Sequence, residues 1–126
     1  MQQKKIIKIK KVKMKNIILI LLVSFLGLGT QAQEKKNKNA KYVTEVNGNC
    51  EQCQKRIQKA AYSVVGVKSA IWDIETHQLS LILNEEKSAA LDVKKAIAEV
   101  GHDTDEVKAT AEQYQSLHSC CLYERK

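Results

Sequence analysis

The chain has 126 residues, of which 44% are hydrophobic and 28% charged, and its formal net charge is +7. That length allows one small domain. Residues 1–32 carry seven lysines and no acid, which leaves 14 basic and 14 acidic residues in residues 33–126. Because the remainder is balanced, the charge does not indicate a nucleic-acid surface, and no nucleic-acid partner is expected. The chain has no proline, which excludes folds that depend on a cis-proline.

The N-terminal segment has the order of an export signal. A lysine-rich stretch ends at Lys15, an apolar run follows over residues 17–28, and small residues precede a cut after Ala32. We therefore predict a signal peptide over residues 1–32 and a periplasmic or cell-envelope location. Because a membrane span needs roughly 20 apolar residues, membrane attachment is expected only through an uncleaved signal. Met14 is an alternative start that shortens the basic region.

Three further segments follow the signal. Residues 33–40 are almost entirely polar and are predicted to be a flexible linker. Residues 41–109 alternate between strand and helix patterns and are predicted to form the domain. Residues 110–126 form a cysteine-rich tail, in which a short helix is predicted to end at Leu117.

The first half of the domain shows a strand, a helix and two more strands. Alternating β-branched residues predict a strand over residues 42–46. From Glu51 apolar residues recur at helical spacing, and Gly66 ends that helix. Residues 67–72 and 78–83 return to the alternating pattern of strands.

The second half adds a helix and a weaker strand. Ser88 is predicted to cap the second helix, which Gly101 ends. Residues 102–107 indicate a fourth strand. The order β-α-β-β-α-β is that of the ferredoxin-like α+β sandwich, with a four-stranded antiparallel sheet and both helices on one face.

Two cysteines stand at the start of the first helix. Cys50 and Cys53 form a C-x-x-C motif, and the helix N-terminus favours thiolate over thiol. Two thiolates at that spacing can bind Cu(I) nearly linearly or supply half of a tetrahedral Zn(II) site. A plain disulfide is the alternative, since exported cysteines meet an oxidising compartment.

Three stretches in this order resemble the heavy-metal-associated domain. They are residues 46–53 around the C-x-x-C, residues 66–70 at the second strand, and residues 96–102 at the end of the second helix. The family comprises copper chaperones, modules of copper-exporting ATPases and the periplasmic mercury-binding protein. The resemblance implies the β-α-β-β-α-β fold and capture or transfer of Cu(I), with Hg(II) or Zn(II) as alternatives. The partners it implies are a metal-transporting ATPase or another metal-binding protein.

One departure from that family lies in the metal loop. The family pattern is G-M-x-C-x-x-C, with the methionine beneath the loop, whereas only Asn49 separates Gly48 from Cys50 here. The two sulfur ligands stay in place, and the loop is either one residue shorter or packed differently.

Further candidate ligands come later in the chain. His102 matches a position that the family places near the metal loop, which implies a third ligand or a supporting group; the alternative is a surface histidine at a helix end. His118, Cys120 and Cys121 stand within four residues. The tail can fold back toward Cys50, where these residues add metal ligands and strengthen Zn(II) binding more than Cu(I) binding. Disulfides of Cys120 or Cys121 are the alternative.

No catalytic constellation is evident, so the chain is predicted not to be an enzyme. The alternative class is a thiol–disulfide redox protein of the cell envelope, which would use the same C-x-x-C. That class relies on a cis-proline facing the cysteines and on an aromatic residue before the motif. The chain has no proline and carries Asn49 at that position.

Overall fold

The computed structural model describes residues 34–126, so the predicted signal peptide and its cleavage lie outside the described residues. The elements are β1 (Ala40–Glu45), α1 (Glu51–Tyr62), β2 (Val67–Trp72), β3 (Gln78–Leu83), α2 (Ala90–Glu99), α3 (Ala111–Gln115) and a 3₁₀ helix (Ser119–Cys121). The first three predicted strands and both predicted domain helices are confirmed. None of the helices in this part of the chain is long and apolar enough to cross a membrane.

The sheet has three antiparallel strands in the order β1-β3-β2. Leu79, Leu81 and Leu83 alternate along the central strand, and all three are buried. The opposite face is open, since Val43 and Ile71 on the outer strands are 69% and 62% exposed. The helices therefore cover one face, and the core lies between them and the three leucines.

The predicted fourth strand is not formed among the described residues. Within residues 102–107 only Thr104 makes a β-bridge, to Val46. The chain then turns, because the Thr104 N–H donates to the Val107 carbonyl at 2.8 Å and the Val107 N–H donates to the Thr104 hydroxyl at 2.9 Å. The Asp105 carboxylate instead accepts from the Thr44 hydroxyl at 2.8 Å. Side-chain hydrogen bonds thus hold this segment against β1 without a strand ladder.

The start of α2 also differs from the prediction. Ser88 does not cap the helix, because its hydroxyl donates to the Val65 carbonyl at 2.6 Å. The helix follows Ala89, whose N–H donates to the Asp92 carboxylate at 2.8 Å. The Asp92 carboxylate therefore provides the side-chain hydrogen bond at the start of α2 that the sequence predicted from Ser88.

The end of the predicted linker touches the domain. The Asn37 N–H donates to the Glu85 carboxylate at 2.7 Å, and the Glu85 N–H donates to the Asn37 carbonyl at 3.0 Å. β1 begins at Ala40, two residues before the predicted strand.

Candidate metal site

The C-x-x-C loop places two sulfurs side by side at the start of α1. Cys50 is the residue before the helix, and Cys53 lies in its first turn. Their Sγ atoms are 3.3 Å apart. Cys50 is partly exposed, whereas Cys53 is fully buried and belongs to the core. Cys53 therefore contributes to the core as well as to the loop, and its Sγ donates to the Asn49 side chain at 3.4 Å.

Trp72 supports this loop from below. Its Nε1–H donates to the Val46 carbonyl at 3.0 Å, and its ring is fully buried. A Cβ atom at Gly48 would lie 3.0 Å from the Trp72 ring and 3.0 Å from the Cβ of Cys53. The loop that lacks the family's methionine is thus packed on a tryptophan.

The tail returns to the loop and brings two further sulfurs to it. The Cys121 Sγ lies 3.4 Å from the Cys50 Sγ, and the Cys120 Sγ lies 3.8 Å from it. Cys121 is fully buried, whereas Cys120 is exposed. The Sγ atoms of Cys50, Cys53 and Cys121 all lie within 4.8 Å of one another. All four cysteines are free thiols.

The thiols of Cys50 and Cys121 differ in acidity. Burial alone would raise the pKa of Cys50, but the backbone N–H and thiol of Cys53 and the thiols of Cys121 and Cys120 lower it to about 7. Burial raises the pKa of Cys121 well above its ordinary value, and its contacts with the neighbouring thiols add to the rise. Cys50 is therefore better prepared than Cys121 to meet an ion as thiolate at neutral pH.

Neither histidine that the sequence singled out joins the sulfur cluster. His102 is fully buried, and its Nδ1 lies 2.8 Å from the Asn47 carbonyl, so Nδ1 carries the proton and donates. Its Nε2 is buried without a hydrogen-bond partner. His118 is exposed at the start of the 3₁₀ helix. That His102 and His118 bind metal stays a prediction. In the structure His102 instead contacts Asn47, in the segment that leads into the C-x-x-C loop.

We expect His102 to make stability depend on pH. Burial lowers its pKa, and the nearby positive charge of Arg56 adds to the lowering, although Asn47 acts in the opposite direction. The unfolded chain then binds the proton more readily than the folded chain below about pH 6.5. The free energy of unfolding should fall as the pH drops through that window, by at most about 1.4 kcal/mol per pH unit.

Urea unfolding between pH 7.5 and 5 measures this slope. The His102→Phe variant should lack it, because the side chain no longer titrates. His118→Gln is the matched control and should keep the slope, because His118 is exposed. An unchanged slope in His102→Phe would assign the pH dependence to other groups.

Three aromatic and charged side chains that sequence reasoning missed hold the tail in place. The Tyr123 hydroxyl donates to the Gly101 carbonyl at 2.9 Å and accepts from the Asp103 N–H at 2.8 Å. Arg125 donates twice to the buried Asp103 carboxylate, at 2.8 Å each, and once to the Ala109 carbonyl at 2.6 Å. The only local signal was that this short tail holds two of the four tyrosines of the chain. By contrast, alternation in β2 does place Trp72 on the buried face.

The predicted resemblance to the heavy-metal-associated domain is confirmed by similar solved structures. The CopZ metallochaperone is 29% identical, with a TM-score of 0.50 over 52% of this chain and 98% of that chain.

Two further solved structures share the fold. A copper binding domain from HMA7, a P-type ATPase, is 21% identical, with a TM-score of 0.50 over 52% of this chain and 89% of its own. The N-terminal domain of a potential copper-translocating P-type ATPase from Bacillus subtilis, in the Cu(I)-loaded state, is 22% identical, with a TM-score of 0.50 over 52% and 84%. No protein-family model and no curated protein matches the chain.

Proposed function

We propose that this protein binds one soft metal ion through Cys50 and Cys53, and that Cu(I) is the preferred ion. The observation that carries the proposal is the pair of sulfurs 3.3 Å apart at the start of α1. Thiolates are the ligands that select Cu(I) over harder ions. Two structures with the same fold, a copper binding domain from HMA7 and a P-type ATPase domain in the Cu(I)-loaded state, support this choice of ion.

Anaerobic titration of the reduced protein with Cu(I) against a chromogenic chelator tests the proposal. We expect about one ion per chain, and we expect the Cys50→Ser/Cys53→Ala double variant to lose tight binding, because no thiolate pair remains in the loop. Alanine is chosen at position 53 because a buried hydroxyl without a partner costs about 1–3 kcal/mol. Far-UV circular dichroism checks that the variant is folded. Full affinity in the folded double variant would place the site elsewhere.

The surface beside the loop supports transfer to an acidic partner. Lys55, Arg56 and Lys59 line an open groove of about 790 Å³ that also includes Gln52, the residue before Cys53. A metal-transporting ATPase or another metal-binding protein with acidic side chains around its own cysteines would fit this charge. Transfer would proceed by ligand exchange, in which an incoming thiolate joins the ion before a resident thiolate leaves.

Thiol–disulfide exchange is the second candidate, because the Cys50 pKa of about 7 favours the attacking thiolate. The absence of any proline from the sequence counts against it. We expect reduced-insulin turbidity to develop close to the uncatalysed rate when the protein is added. A rate comparable to that of thioredoxin would favour the redox function instead.

Export to the periplasm or cell envelope is the location that we propose, from the N-terminal sequence. N-terminal sequencing of the mature protein should then begin at Gln33. A mature protein that still begins at Met1 or Met14 would contradict it.

A further inference from the structure

The tail sulfur stands as close to Cys50 as the second loop cysteine does. The Cys50–Cys121 and Cys50–Cys53 distances between Sγ atoms are 3.4 and 3.3 Å. Cys121 is fully buried, so its sulfur faces the protein and the loop, whereas the adjacent Cys120 is exposed. The two consecutive cysteines therefore stand in different environments.

The spacing of the three sulfurs fits an ion shared by all of them. With metal–sulfur bonds of about 2.3 Å, two thiolates on opposite sides of an ion lie about 4.6 Å apart, and three in a plane around it lie about 4.0 Å apart. The observed distances of 3.3 and 3.4 Å are nearer the second value. A linear site would require Cys50 and Cys53 to separate by over about 1 Å, whereas a three-thiolate site needs about half that movement.

Cys121 is held in this position by the rest of the tail. Two residues later, the buried Tyr123 makes two hydrogen bonds to the chain between Gly101 and Asp103. Arg125 then forms its paired contact with the Asp103 carboxylate, with a side chain of which 27% is exposed. Because binding need not order the tail, little entropy is lost when its sulfur meets the ion.

We propose that Cys121 is a built-in third thiolate, which makes the site a Cys50–Cys53–Cys121 pocket for soft ions that accept three sulfur ligands. The proposal rests on the proposed function, since the loop pair supplies the other two ligands. Cys120 lies at the rim of the pocket and is not one of the three. Each bound thiol gives its proton to solvent, and no electron is transferred.

A third thiolate from the same chain changes what the site does. In ligand exchange the third position belongs to the incoming thiolate of the partner, but here Cys121 already stands in it. The pocket therefore retains its ion until Cys121 is displaced. This favours capture and storage over rapid delivery.

Cd(II) is the probe for this pocket, because its thiolate charge-transfer absorbance grows with the number of sulfur ligands. We expect the reduced full chain to bind one Cd(II), and we expect Cys121→Ala to lower the Cd(II) affinity roughly 100-fold, at the upper end of the loss seen when even a supporting residue is removed. The absorbance per bound ion should fall in the same variant. Cys120→Ala is the matched control, and it should keep both the affinity and the absorbance.

Alkylation of the unmodified chain provides a second measurement that does not depend on a folded variant. Cys121 is buried even without metal, so the measurement compares the metal-free chain with the Cd(II)-loaded chain. Cd(II) should slow the labelling of Cys121 by iodoacetamide further and leave the labelling of Cys120 unchanged, as read by mass spectrometry of the tail peptide. An unchanged labelling rate at Cys121 would contradict the third thiolate. Cys121→Ala with the affinity and absorbance of the unmodified chain would overturn the third thiolate, as would equal losses in Cys120→Ala. If only the third thiolate is wrong and the proposed function holds, Cu(I) binding should persist in Cys121→Ala and be lost in the Cys50→Ser/Cys53→Ala variant.

Discussion

Replacing Trp72 by alanine is expected to lower the free energy of unfolding by about 3–5 kcal/mol, because it empties a fully buried site beneath the metal loop. The same change removes the hydrogen bond from Nε1 to the Val46 carbonyl. With its support gone, the loop holds Cys50 and Cys53 less firmly. We therefore also expect the affinity for Cu(I) to fall about 10- to 100-fold, as when supporting residues around a metal are lost.

Urea unfolding and competitive Cu(I) titration measure the two effects. Trp72→Phe is the matched control, because it keeps an aromatic ring under the loop and loses the Nε1 donor. It should cost about 1–2 kcal/mol and leave the affinity nearly unchanged. A Trp72→Ala variant with unchanged affinity would show that the loop does not need this support.

The parts of the fold that local periodicity specifies were predictable. The three leucines of β3 alternate with Gln78, Ser80 and Ile82, so the strand and its buried face follow from a period of two. The helix from Glu51 follows in the same way from its apolar spacing, with Ile57 and Ala61 fully buried. In both cases the core-facing residues are neighbours within one element.

The fourth strand was not predictable, because contacts distant in sequence decide that segment. Asp105 pairs with Lys94 at 2.9 Å and with the Thr44 hydroxyl, which are 11 and 61 residues away. These bonds favour the turn at Thr104 over a continued ladder. The same applies to His102, whose buried contact with Asn47 bridges 55 residues.

The candidate site also has one part that local spacing predicts and one part that depends on distant contacts. The spacing of Cys50 and Cys53 marks the loop pair directly, since three residues at a helix start bring their side chains together. The sequence also allowed the tail to fold back to the loop, but it did not distinguish Cys120 from Cys121 as the cysteine that comes closest to Cys50. That choice depends on Tyr123 and Arg125, which anchor the tail to residues more than 15 positions away.

Gly101 joins α2 to the segment on which the tail rests, and its replacement by alanine is expected to cost about 2–5 kcal/mol of unfolding free energy. Its φ of +101° lies in the region that L side chains rarely adopt. An added Cβ would also lie 2.7 Å from the Gln113 carbonyl oxygen and 2.9 Å from the Leu117 side chain. Because α3 would have to move, the tail and Cys121 should move with it, and the Cys121 thiol should become open to alkylation.

Gly66→Ala is the matched control for this change. Gly66 lies in the turn before β2 and has a similar φ of +94°. A Cβ atom at Gly66 would lie 2.9 Å from the Cβ of Lys87. It should lower the unfolding free energy as well, but the Cys121 thiol should stay as protected as in the unmodified chain, since the nearest atoms belong to Lys87 and Asn84 rather than to the tail. Urea unfolding and the rate of iodoacetamide labelling separate the two results. Equal labelling of Cys121 in both variants would mean that general loss of stability, rather than displacement of α3, exposes the tail sulfur.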